Sequence, residues 1–177
     1  EEVERVLEEI KRISTDVARR SKEVLKRARE SSERVKRRTE EVLEEIRKTN
    51  EDVARRADEE LFKKVVEDNK RLLDRLREEH RKDDEVVRKL LKELEDIHRK
   101  SIEEVRRLLE DLERRGIDKK VVDRLRKEVK RNEDENREMV REVEEEVRRL
   151  EKENEEAVRR AADIVRRSEE HLRERTR

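Results

Sequence analysis

Between Val122 and His171 the apolar and small polar residues return every three or four positions without a break. The set is Val122, Leu125, Val129, Asn132, Asn136, Met139, Val143, Val147, Leu150, Asn154, Ala157, Ala161, Ile164, Ser168 and His171. Such spacing lays one stripe along one face of a single helix, and a stripe this long must be covered by other helices. Two further seams precede it. One runs through Val3, Leu7, Ile10, Ser14, Val17, Ser21, Val24, Ala28, Ser32, Val35, Thr39, Val42, Ile46, Asn50, Val53 and Ala57, with an extra residue absorbed between Ala28 and Ser32. The other runs through Phe62, Val66, Asn69, Leu73, Leu76, His80, Asp83, Val87, Leu90, Leu94, Ile97, Ser101, Val105, Leu108 and Leu112.

Without these seams the composition would point to disorder, because 60% of the residues are charged and only 29% are apolar. A coiled-coil seam needs only about two apolar positions in seven, so this apolar content suffices when nearly all of it lies on seams. The remaining Glu, Lys and Arg are good helix formers on solvated faces. The chain has no Cys, so it carries no disulfide framework, thiolate metal site or thiol nucleophile. Its 53 basic and 53 acidic residues are interspersed, which gives no broad attraction to nucleic acid or to an anionic membrane. No apolar run approaches a membrane span, and the acidic start Glu1-Glu2-Val3-Glu4 does not read as a signal peptide.

Turns follow from the places where the seams fail to join. Gly116 suits the left-handed residue after a helix end, and Asp118 suits an N-cap, so one turn is expected at 116–118. The register also breaks between Ala57 and Phe62, where Asp58-Glu59-Glu60 supply a cap and first-turn acids. This predicts helices of about 2–57, 59–115 and 118–176 within one domain spanning 1–177. Turns at 49–50 or 82–84 are the rivals, and the latter would leave helices of very unequal length. Three helices of about 57 residues, ~85 Å each, can cover all their seams in an up-down-up bundle. The expected fold is therefore all-α: a long up-down-up three-helix bundle with coiled-coil-like packing. A near-repeat within the first helix, Val6-Leu7-Glu8-Glu9-Ile10 against Val42-Leu43-Glu44-Glu45-Ile46, has no turn chemistry between its copies and reads as repeated patterning of one helix.

Polar residues inside the seams are the informative exception. In an up-down-up fold, a residue of the first helix faces the third-helix residue about 118 positions later, and the second helix runs past in reverse. That rule gathers Ser14, His98, Ser101, Asn132 and Asn136 at one level. His80 and Asn154 meet Ser31, Ser32 and Asp83 at a second. Asn50, Asn69 and Ser168, with Thr49 nearby, form a third. A buried amide or hydroxyl costs roughly 1–3 kcal/mol unpaired and much less when hydrogen-bonded, so grouping is the physical solution. A polar layer also penalises slipped registers, which set it against Val or Leu. The structural polar core expected is Ser14, Ser32, Asn50, Asn69, His80, His98, Ser101, Asn132, Asn136, Asn154 and Ser168. Placement of these residues on exposed flanks is the competing reading.

Repetitive Glu/Lys/Arg surfaces, a Val/Leu/Ile seam, Ser/Asn/His layers within it and short turns resemble de novo designed helical bundles with buried hydrogen-bond networks. The resemblance covers the whole chain as a style, without a signature motif. It implies no natural biochemical function: a designed structural scaffold whose Ser/Thr/Asn/His layers specify register and topology. The alternative is a designed interaction module, as a homo-oligomer, half of a heteromeric pair or a helix-displacement switch.

No enzyme is expected. Glu95-Asp96-Ile97-His98 has the Glu-x-x-His spacing of di-iron bundles, but His80 is preceded at that spacing by Arg77 and His171 by Ser168, so the second motif is missing. No metal, cofactor or small-molecule ligand is expected, and no nucleophile–base set stands out. The basic cluster Arg34-Val35-Lys36-Arg37-Arg38 lacks aromatic partners and reads as a solvated face. Phe62 reads as a core plug near the first turn. Val66, Leu73, Leu91, Ile102, Leu109, Val140, Val158, Val165 and Leu172 broaden the stripes without making a second apolar face, which favours a monomer over self-association or a designed partner chain. With no targeting signal, the expectation is a soluble chain, cytoplasmic if expressed recombinantly. Whether His80 and His98 make stability depend on pH is left open by the sequence.

Overall fold

A computed structural model describes residues 2–176. Among them the chain forms three helices: α1 (Glu2–Arg56), α2 (Glu59–Arg114) and α3 (Lys119–Thr176). The ends are set by local chemistry. Ala57 adopts a left-handed backbone (φ 46°) and donates its N–H to Val53 O at 2.9 Å, closing α1 one residue before the expected end. Asp58 then caps α2: its Oδ1 accepts from Glu60 N at 3.0 Å and from Leu61 N at 3.4 Å. At the second reversal Gly116 (φ 77°) donates to Glu113 O at 3.1 Å and Ile117 to Leu112 O at 3.4 Å, a Schellman closure. Asp118 caps α3 by accepting from Lys120 N at 3.2 Å.

The chain divides into two compact units, each built from all three helices. Unit 1 comprises Glu1–Arg27 and Val87–Val147; unit 2 comprises Ala28–Val86 and Arg148–Arg177. Within unit 1, Arg106 reaches Glu133 and Arg126 reaches Glu113, so α2 and α3 run antiparallel. Within unit 2, Arg34 pairs with Asp83 at 3.3 Å, Arg38 with Glu79 at 3.0 Å and Asn50 with Asn69 at 3.2 Å, so α1 and α2 also run antiparallel. These are the contacts of an up-down-up bundle.

The core of unit 1 is Val6, Ile10, Ile13, Val17, Val24, Val87, Leu94, Val105, Leu109, Leu112, Val122, Leu125, Val129, Val140, Val143 and Val147. In unit 2, Val35, Val42, Ile46, Leu76, Val158 and Val165 form one cluster, with Leu43, Leu72 and Leu73 against it. Val53, Phe62, Val65 and Leu172 form another beside the first turn, and the Arg173 guanidinium stands 6.0 Å over the Phe62 ring.

The expected seams need correction at specific positions. Leu7 is 37% exposed and Val6 takes its place in the core; Ile13 is buried where Ser14 was expected. On α2, Val65, His98 and Leu109 are buried in place of Val66, Ile97 and Leu108. On α3, Ile164 is 53% exposed while Val165 is 2% exposed, and His171 gives way to Leu172. Ala57, a seam member in the sequence reading, is exposed at the turn. The reason is geometric: an α-helix repeats every 3.6 residues and drifts about 20° per heptad from a strict 3.5 pattern. The apolar face therefore moves to neighbouring positions, and several residues that broaden the stripe in sequence become its centre.

Candidate functional site

Thr49 and Asp83 apart, the polar residues of the expected layers sit on helix faces that the apolar pattern turns inward, where Val or Leu would otherwise fall. Three hydrogen-bonded groups result, each within one unit.

In unit 1 the Asn132 side-chain amide of α3 donates to Ser14 Oγ of α1, and Asn136 Nδ2 donates to Asn132 Oδ1 at 3.0 Å. Asn136 is buried, whereas Ser14, Asn132 and Ser101 are half-buried. His98 is only 8% exposed and its Nε2 is buried without a hydrogen-bond partner. Burial pushes the His98 pKa below the usual imidazole value; the nearby Arg137 cation adds to this and Glu133 opposes it.

In unit 2 the first group joins Ser32 Oγ of α1 to Asn154 Oδ1 of α3 at 2.9 Å, with both residues buried. His80 of α2 is also buried there. Its Nε2 lies 3.4 Å from Asp84 Oδ2, within ion-pair range of a protonated ring, but neither ring nitrogen makes a hydrogen bond. The bond and the distance describe different geometry: proximity is present and alignment is not. Asp83 instead pairs with Arg34 at the surface.

The second group of unit 2 joins all three helices. Asn50 Nδ2 of α1 donates to Ser168 Oγ of α3 at 2.9 Å, and Asn69 Nδ2 of α2 donates to Asn50 Oδ1 at 3.2 Å. Asn69 Nδ2 also donates to Glu169 Oε1 at 3.2 Å. Glu169 is a member the sequence reading missed. Its only signal was its place next to Ser168, which is weak on a chain where acids stand beside almost every seam position. Burial raises the Glu169 pKa above the usual glutamate value, against the lowering effects of the Asn69 hydrogen bond and of Arg173.

Other buried hydroxyls are satisfied locally or not at all. Thr39 Oγ1 donates to Val35 O at 2.7 Å, back along its own helix. Ser21 Oγ is buried without a partner. Thr49, placed near the third layer from sequence, donates instead to Glu45 O at 2.9 Å on an exposed face.

Among the described residues no group of three or more His, Asp or Glu side chains could hold a metal ion. Among them, too, no helix is long and apolar enough to cross a membrane. The chemistry these layers offer is directional hydrogen bonding between helices.

No protein-family model matches the chain, and no curated protein is significantly similar to it. A solved structure described as "Computationally designed three helix bundle" is 19% identical, with 99% of this chain and 80% of that chain covered and a TM-score of 0.38. At that score the all-α, three-helix assignment rests on the helices and contacts of this chain alone.

Proposed function

We propose that this chain is a designed structural scaffold, without a natural substrate, whose buried Ser, Asn and His layers specify helix register and topology. The observation that supports this most directly is Asn69, which donates to Asn50 of α1 and to Glu169 of α3 from one side-chain amide. A shift of any one helix by a turn takes a partner away and leaves a buried amide facing apolar side chains, at a cost of roughly 1–3 kcal/mol per unsatisfied group. Apolar packing alone is less selective, because Val and Leu tolerate neighbours of similar size. Placing polar layers among apolar ones gives each helix an address along its partners.

The test replaces the layer by apolar residues. A variant carrying N50L, N69L and S168A is expected to stay helical and to melt no lower than the parent. It is also expected to populate more than one pairing, read as multiple interspin distances between labels on α1 and α3 of unit 2. A single distance distribution matching the parent would remove the specifying role. The scaffold reading further expects a solution mass near the chain's 21.8 kDa by light scattering. A mass of twice or three times that would favour an interaction module. The exposed large apolar side chains give that alternative little support, since Leu7, Val86 and Ile164 stand singly on α1, α2 and α3.

A further inference from the structure

Unit 1 and unit 2 each bury one histidine, and the two rings have different neighbours. His80 of unit 2 has a carboxylate oxygen, Asp84 Oδ2, 3.4 Å from Nε2. His98 of unit 1 has a buried Nε2 without a hydrogen-bond partner. The charges that act on it come from α3, where Arg137 and Glu133 oppose each other. Glu133 is itself held by Arg106, at 3.4 Å. On its own helix, Glu95 and Arg99 line the same α2–α3 groove, and Arg99 is paired with Asp96 at 3.2 Å. On α1, the charged residues two to six positions beyond Ser14 pair among themselves: Asp16 with Arg19 at 2.8 Å and with Arg20 at 3.3 Å.

We propose that acid loosens this protein at one place: protonation of His98 opens the α2–α3 packing of unit 1 while unit 2 keeps its own. A neutral imidazole is tolerated at a nearly buried position at the cost of one unmade hydrogen bond. An imidazolium there is a desolvated cation near the Arg137 guanidinium, and Glu133, the acid that opposes it from α3, is already engaged by Arg106. The relief is for α2 and α3 to part around His98 so that water reaches the ring. The layer around it offers little restraint, since Ser14, Asn132 and Ser101 are already half-buried. The direction agrees with the lowered pKa of His98. Such a group is neutral in the folded chain and charged in the unfolded one between its two pKa values. Stability is therefore complete above the ordinary imidazole value and declines as pH falls through that window.

Segment-resolved hydrogen exchange on the full chain tests this, with protection factors corrected for the intrinsic pH dependence and compared between pH 7.5 and pH 5. Protection in residues 94–102 and 129–143 is expected to drop severalfold at pH 5, while 39–46 and 62–76 hold steady. An H98Q variant, which cannot titrate, is expected to abolish the drop, and H80Q to retain it. If H98Q folds poorly, R137Q on the intact histidine is expected to shrink the drop. A loss of equal size in both units, a loss that persists in H98Q, or no loss in the parent would each overturn the proposal.

Discussion

Asn50 of α1 donates its side-chain amide to Ser168 Oγ of α3 at 2.9 Å, which fixes these two parallel segments of unit 2 at one level. The same side chain accepts from Asn69 of α2, so both ends of one amide are used between helices. Each partner is then expensive to remove alone.

Replacing Asn69 by Leu leaves Asn50 Oδ1 and Glu169 Oε1 without this donor. The expected loss is about 1–3 kcal/mol in chemical denaturation. The N50L/N69L double variant is expected to lose less than the sum of the two single changes, because it removes an orphaned group together with its partner. Strict additivity would show that the network is not coupled.

Glu169→Gln keeps an acceptor for Asn69 and removes a half-buried charge. Because the folded pKa of Glu169 is raised by burial, its ionisation opposes folding at neutral pH, and the parent recovers stability as pH falls through that raised value toward the ordinary glutamate range. The Gln variant is therefore expected to be the more stable of the two at pH 7, with the difference narrowing toward pH 4. Urea titrations at several pH values read this directly, and a widening gap would contradict it.

The register of α3 is open to a paired substitution. Val165→Ala is expected to cost about 1–3 kcal/mol, as loss of buried apolar volume does. Ile164→Ala, at the adjacent exposed position, is expected to fall within about 0.5 kcal/mol of the parent. Thermal melts that ranked the two in the reverse order would restore the strict heptad seam.

The two turns predict opposite signs. Ala57 holds a left-handed backbone that L-residues other than Gly adopt at a cost of about 1 kcal/mol, so Ala57→Gly is expected to stabilise by up to that amount. Gly116→Ala meets no atom within 4 Å, so its expected destabilisation of about 1 kcal/mol is conformational, not steric. Differential scanning calorimetry on both variants distinguishes them.

A last prediction concerns Ser21, whose buried hydroxyl has no partner. Ser21→Ala is expected to be neutral or slightly stabilising, since it removes an unsatisfied group and leaves only a small cavity. A marked loss in the melting temperature would mean that the hydroxyl is bound in solution.

The helices and their reversals are legible in the residues alone. Spacing of three and four identified each amphipathic face, and Asp58, Gly116 and Asp118 carry their end chemistry in their own side chains and backbone freedom, which act within a few residues. The same pattern also brought Ser14 to Asn132 and Asn50 to Ser168, because equal helices folded back on each other leave little choice of level. Tertiary structure decided which of two adjacent residues faces inward. Val165 is buried rather than Ile164, and His98 rather than Ile97, since the slow drift of a 3.6-residue helix against its partners selects between neighbours that a heptad count treats alike. It also decided which polar atoms found partners. Hydrogen bonds depend on tenths of an ångström and on angle, so Asn69 gained Glu169 while the nitrogens of His80 and Nε2 of His98 were left without bonds, a difference no residue spacing could express.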